Sequence, residues 1–96
     1  MKSAIVVINK EEDLKLIEKA NKMKDVDDIV VLNNGVKSVS GKLVQLRDKN
    51  PKMHLTIMSE QPTREYAEEI AKSYANNKEV EVLKLEVEPG KREKKA

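Results

Sequence analysis

Ala4-Ile5-Val6-Val7-Ile8 is an unbroken apolar run in which every residue after the alanine is β-branched. A strand made of it has no polar face, so it must be covered on both sides. A parallel sheet with helices above and below meets that requirement, and this segment is then a central strand. The run is far too short to span a bilayer, and no secretory apolar region follows Met1.

The remaining segments alternate in the same manner. Asn9-Lys10 leaves the first strand, and Glu11-Glu12-Asp13 puts acids at the positive end of a helix bearing Leu14, Ile17 and Ala20, with Met23 near its end. Asp27-Asp28 is expected to break that helix before a second buried strand, Ile29-Val30-Val31-Leu32. Asn33-Asn34-Gly35 predicts a tight turn, since Asn and Gly tolerate positive φ. Ser38 or Ser40 can cap a second helix with Val39, Leu43 and Leu46 on one face, stopped by Asn50-Pro51. Leu55-Thr56-Ile57-Met58 is a third strand. Thr63 can cap a third helix striped by Tyr66, Ala67, Ile70, Ala71 and Tyr74. Val80 to Val87 predicts a fourth strand. Its interleaved Glu79, Glu81, Lys84, Glu86 and Glu88 imply a wet face and an edge position, and the alternation slips at Val82-Leu83, where a bulge fits.

The order βαβαβαβ defines an α/β domain: a three-layer α/β/α, doubly wound, Rossmann-like sandwich around a four-stranded, mostly parallel sheet. Residues 1–90 form the domain and 91–96 a basic disordered tail. The core must be aliphatic, because the chain has no Phe and no Trp. Absence of Cys removes disulfides, thiolate metal sites and cysteine nucleophiles, and suits a reducing cytoplasm. Charged residues are 38% of the chain yet balance to a net +2, so it is not built as a generic polyanion binder. A Lys/Glu-rich composition of this kind is thermophile-like.

In open parallel sheets, ligands bind beyond the carboxyl ends of the strands. The residues delivered there are Asn9, Lys10, Asn33, Asn34, Gly35, Ser59, Glu60 and Gln61, with Lys37, Lys42 and Arg64 placed to contact phosphate. Asn, Ser and Gln can hydrogen-bond a ligand or close a turn, but they hold no Mg²⁺ without carboxylates. Gly35 to Leu43 approaches a phosphate-binding loop, but it has one residue too many between Gly35 and Gly41, and Leu43 stands where a metal-holding hydroxyl is required. His54, the only histidine, starts a strand away from the site, which removes histidine triads and clusters. Glu60 is the lone loop acid. No catalytic residue, metal site or cofactor is expected.

Over nearly its whole length the chain resembles a Toprim domain, the fold shared by primases, topoisomerases and related nucleases. The turns carry the resemblance: Asn9-Lys10 after the first strand, Asn34-Gly35 after the second, Ser59-Glu60-Gln61 after the third and Pro89-Gly90-Lys91 after the fourth. In that family a Glu ends the first strand and an Asp-x-Asp follows the third. Here Ile8 or Asn9, and Ser59 with Gln61, stand instead. The resemblance therefore implies a non-catalytic binding or scaffolding module that contacts nucleic acid through its lysines. Residues 26–75 also resemble a response-regulator receiver, with Asn33 at the phosphoacceptor position, Gly41 eight residues on and Ser59 at the switch position. That resemblance implies a pseudo-receiver or protein-interaction scaffold, natural or engineered, without enzymatic activity. Its partner is a protein, with the chain monomeric or a weak homodimer through its edge strand.

Overall fold

β1 (Lys2–Ile8) runs between two neighbours, and from Ser3 to Ile8 it is wholly buried. The computed structural model describes residues 2–58, 63–76 and 79–88. Ala4, Val6 and Ile8 face one core, and Ile5 and Val7 face another. This two-sided burial is what the unbroken apolar run requires.

A short 3₁₀ turn, Glu11–Asp13, leads into α1 (Leu14–Lys22), followed by β2 (Val26–Asn33), α2 (Val39–Lys49), β3 (His54–Met58), α3 (Arg64–Ala75) and β4 (Glu79–Lys84). All pairings are parallel, in the order β3-β2-β1-β4. The chain steps one way from β1 to β3, then crosses back over the sheet to β4. Right-handed crossovers then put helices on opposite faces. Ile17 and Ala20 of α1 and Val39, Leu43 and Leu46 of α2 share one core, while Ala67 of α3 lies in the other, with Ile70, Ala71 and Tyr74 against it. The fold is the three-layer, doubly wound α/β sandwich expected from the element order.

Local departures have physical causes. Asp27-Asp28 does not break a helix; it lies inside β2, and the chain turns earlier, between Met23 and Val26. The Ser3 hydroxyl, the register partner of Asp28 on β1, donates to one of its carboxylate oxygens at 2.9 Å, and the other oxygen is buried without a partner among the described residues. Ser38 precedes α2, but its backbone is already helical (φ −77°, ψ −2°), so its hydroxyl makes no cap bond. Ser40 lies within the helix. Thr63 is extended and caps α3, accepting from the Tyr66 N–H at 3.1 Å. Tyr66 itself is 43% exposed and stands off the α3 stripe. Gly35 adopts φ 84°, the left-handed turn that the Asn-Asn-Gly sequence implied.

β4 is an edge strand, and its register to β1 jumps from Ile5↔Val82 to Val6↔Lys84, which bulges out Leu83. The strand expected to reach Val87 ends at Lys84, where main-chain pairing with β1 stops. Leu85 and Val87 still pack against the α3-side core.

Removing the hydroxyl of Ser3 leaves the buried Asp28 carboxylate without its cross-strand donor. Ser3→Ala is expected to cost about 1–3 kcal/mol in denaturant unfolding. A change below a few tenths of a kcal/mol would show that the pair carries no stability.

Candidate functional site

The chain reverses its direction of winding between β1 and β4, so the crevice beyond the carboxyl ends of these two strands is the fold's natural ligand position. Two connected sets of contacts fill it. The first centres on Asp13, buried at the end of the 3₁₀ turn. One carboxylate oxygen accepts from the N–H groups of Asn9 (2.9 Å) and Lys10 (3.3 Å). The other accepts from the Lys84 ammonium at 3.0 Å. Burial alone would raise the Asp13 pKa. The Asn9 N–H, the Lys84 ammonium and the Lys10 N–H together outweigh it and hold the carboxyl below its ordinary range. Lys84 is raised in turn, chiefly by its bond to Asp13, against a smaller opposing effect of burial. Its ammonium also lies 3.9 Å from the Glu88 carboxylate.

The second set is made by two asparagines. The Asn9 side-chain amide donates to the Glu86 carbonyl at 2.9 Å, and its oxygen accepts from the Glu88 N–H at 2.9 Å. Asn34, at the tip of β2, donates from its side chain to the Asn9 oxygen (2.8 Å) and to the Glu88 carbonyl (2.9 Å). Its own N–H donates to the Ile8 carbonyl at 2.9 Å. Residues 85–88 are therefore strapped across the ends of β1 and β2 by side-chain amides, where a sheet would use main chain.

The other residues singled out in the sequence are dispersed in role. Asn33 folds back on its own turn, donating to the Val36 carbonyl at 3.0 Å and accepting from the Val36 N–H at 2.8 Å. Gly35, Lys10 and Lys37 are exposed. Lys42 is ion-paired to Glu18 between α2 and α1. Arg64 pairs with Glu68 one turn on, at 3.3 Å. Ser59, Glu60 and Gln61, the Pro89-Gly90 turn and the tail 91–96 lie outside the described residues. Sequence reasoning placed Asp13 at a helix start but missed its partner Lys84 and the strap 85–88. The one signal was Lys84 itself, the only cation among the glutamates of the fourth strand.

Among the described residues, no group of three His, Cys, Asp or Glu side chains is placed to hold a metal ion, and no helix is long and apolar enough to cross a membrane. Compared with models of known protein families, with curated proteins and with solved structures, the chain matches none. Its site must be read from its own geometry.

Asp13 binds its proton less readily folded than unfolded. Its contribution to stability is thus present at neutral pH and is lost as pH falls through and below about 4. Asp13→Asn is expected to lower stability at pH 7 by about 2–3 kcal/mol and to flatten the acid limb of a stability-versus-pH curve. An acid limb as steep as that of the unsubstituted chain would remove Asp13 as its source.

Proposed function

We propose that this chain is a non-catalytic, Toprim-like binding or scaffolding module that works in a reducing cytoplasm and meets nucleic-acid phosphate through its carboxyl-end loops. The commitment of the switch-point side chains to the chain itself carries this reading. Asn9 and Asn34 bond the strap, and Asp13 is held by two N–H groups and Lys84. Groups so engaged support the fold and are poorly placed to move protons or hold Mg²⁺. Of the four cations considered, Lys42 and Arg64 are paired to carboxylates, whereas Lys10 and Lys37 are exposed on the loops that follow adjacent strands β1 and β2. Two lysines on one end of the sheet favour weak, salt-sensitive phosphate contact over sequence-specific readout.

A second reading, a protein-interaction scaffold, draws on the sheet edges. Beside β3, a mainly apolar groove of about 200 Å³ is lined by Leu43, Val44, Leu55 and Ile57 together with Ser40 and Arg47. Val44 is 60% and Ile57 47% exposed there, and Val82 is 44% exposed on the β4 edge.

Titrating the chain with duplex and single-stranded DNA and RNA across a salt series separates the two readings. Phosphate contact by Lys10 and Lys37 gives a log–log salt slope of about −2 on duplex DNA, and Lys10→Glu with Lys37→Glu abolishes it. Absence of binding at low salt eliminates the nucleic-acid reading and leaves the scaffold. A parallel Mg²⁺ or Mn²⁺ titration by NMR is expected to leave the Asn9 and Asp13 amides unshifted; saturable shifts there would reopen metal-dependent catalysis.

A further inference from the structure

The hydrogen bonds of Asn9 follow the rule of a parallel ladder. In such a ladder, one residue donates to the carbonyl before its opposite number and accepts from the N–H after it, through evenly spaced, slanted bonds. The Asn9 amide donates to the carbonyl of Glu86 and accepts from the N–H of Glu88, the two groups that bracket Val87. Continuing the observed register from Val6↔Lys84 by three residues pairs Asn9 with Val87. The side chain therefore takes the place that its own main chain would occupy had β1 gone on. The Asn9 main chain is diverted elsewhere, its N–H bonded to Asp13. Asn34 completes the arrangement by donating to the Glu88 carbonyl.

We propose that the crevice between β1 and β4 is a recognition site for extended peptide main chain, filled in cis by residues 85–88 and able to take a segment of another polypeptide in trans. The three strap atoms held by asparagines are all main-chain atoms, so the contacts read no side-chain identity. Selectivity comes from the flanks. Leu85 and Val87 pack on the core shared with α3, and Lys84 stands near the Glu88 carboxylate. The segment that fits is extended and alternates aliphatic with acidic residues. Adding main chain at a sheet edge is an established way for a fold to bind peptide, and here side-chain amides supply the edge. The site rests on the binding-module reading only in being non-catalytic, and it holds whether or not Lys10 and Lys37 meet phosphate.

The test uses the full chain and an acetylated, amidated, fluorescently labelled hexapeptide with the sequence of residues 83–88. The natural chain binds it weakly, because the cis segment competes at high effective concentration. Replacing the strap's apolar anchors (Leu85→Ser with Val87→Ser) is expected to tighten anisotropy-measured binding at least tenfold. Adding Asn9→Ala returns it to the natural level, and so does N-methylating the peptide's last residue, which removes the donor that Asn9 accepts. A folded anchor variant that binds no better than the natural chain overturns the proposal, as does a gain that survives Asn9→Ala. Hydrogen exchange on the natural chain provides the second measurement. The Glu88 amide is expected to be slowed relative to the free peptide, yet to exchange more than tenfold faster than the amides of Val6 and Val31. Exchange at the core rate would mean that the strap leaves only on global unfolding, and exchange at the free-peptide rate that it is not seated; either sinks the idea.

Discussion

β1 is enclosed on four sides: β2 and β4 flank it, and cores built on α1 with α2 and on α3 cover its faces. Inside such an enclosure every N–H and C=O must find a partner, because an unpaired buried peptide group costs as much as several good contacts return. Within the strand, its neighbours supply them. The difficulty comes where β1 ends. The 3₁₀ turn at Glu11–Asp13 draws the chain away after Ile8, while residues 85–88 follow β4 and stay beside the end of β1 through their bonds to Asn9. Asn9 resolves the mismatch by serving two elements at once: its main-chain N–H goes to Asp13 and the helix that follows, and its side chain goes to the strap.

Sequence patterns reveal the layers of this fold because the layers depend on local periodicity. An apolar run covered on both faces, three helical stripes and a half-wet fourth strand leave little choice of architecture, and the slip at Val82-Leu83 is the bulge at Leu83. Boundaries set by distant partners are another matter. Asp28 reads as a breaker because acids are rare in buried strands, and its bond there is to Ser3, 25 residues earlier. The end of β4 is likewise decided by where β1 departs, and Val80 to Val87 carries no sign of it.

The candidate site divides along the same line. Its position follows from topology, and the turn at Asn33-Asn34-Gly35 follows from local chemistry. What Asn9 and Asn34 do there does not, since an asparagine at a strand tip can bind a ligand, cap a helix or bond a main chain. Their partners lie 77 and 79 residues away for Asn9, and 54 for Asn34. Charge shows the same limit. Lys10, Lys37, Lys42 and Arg64 look equivalent in the sequence, yet two of them sit in solvent-screened surface pairs, and the ion pair at the switch point is made by Lys84 with the buried Asp13.

The demand on position 9 is narrow. The strap presents an acceptor at Glu86 and a donor at Glu88, so the side chain must carry both functions in one plane and at one reach. Aspartate has the reach but no donor, and it would add a second carboxylate beside Asp13. Serine can donate and accept, but from a single oxygen too short to bracket two main-chain groups. Glutamine carries the same amide one methylene farther out, displacing it from the ladder position that the register assigns to Asn9. The carboxamide at this strand tip carries its donor and acceptor in one plane, as a peptide unit does. Asparagine is thus the side chain that can stand in for a main-chain unit at this strand tip.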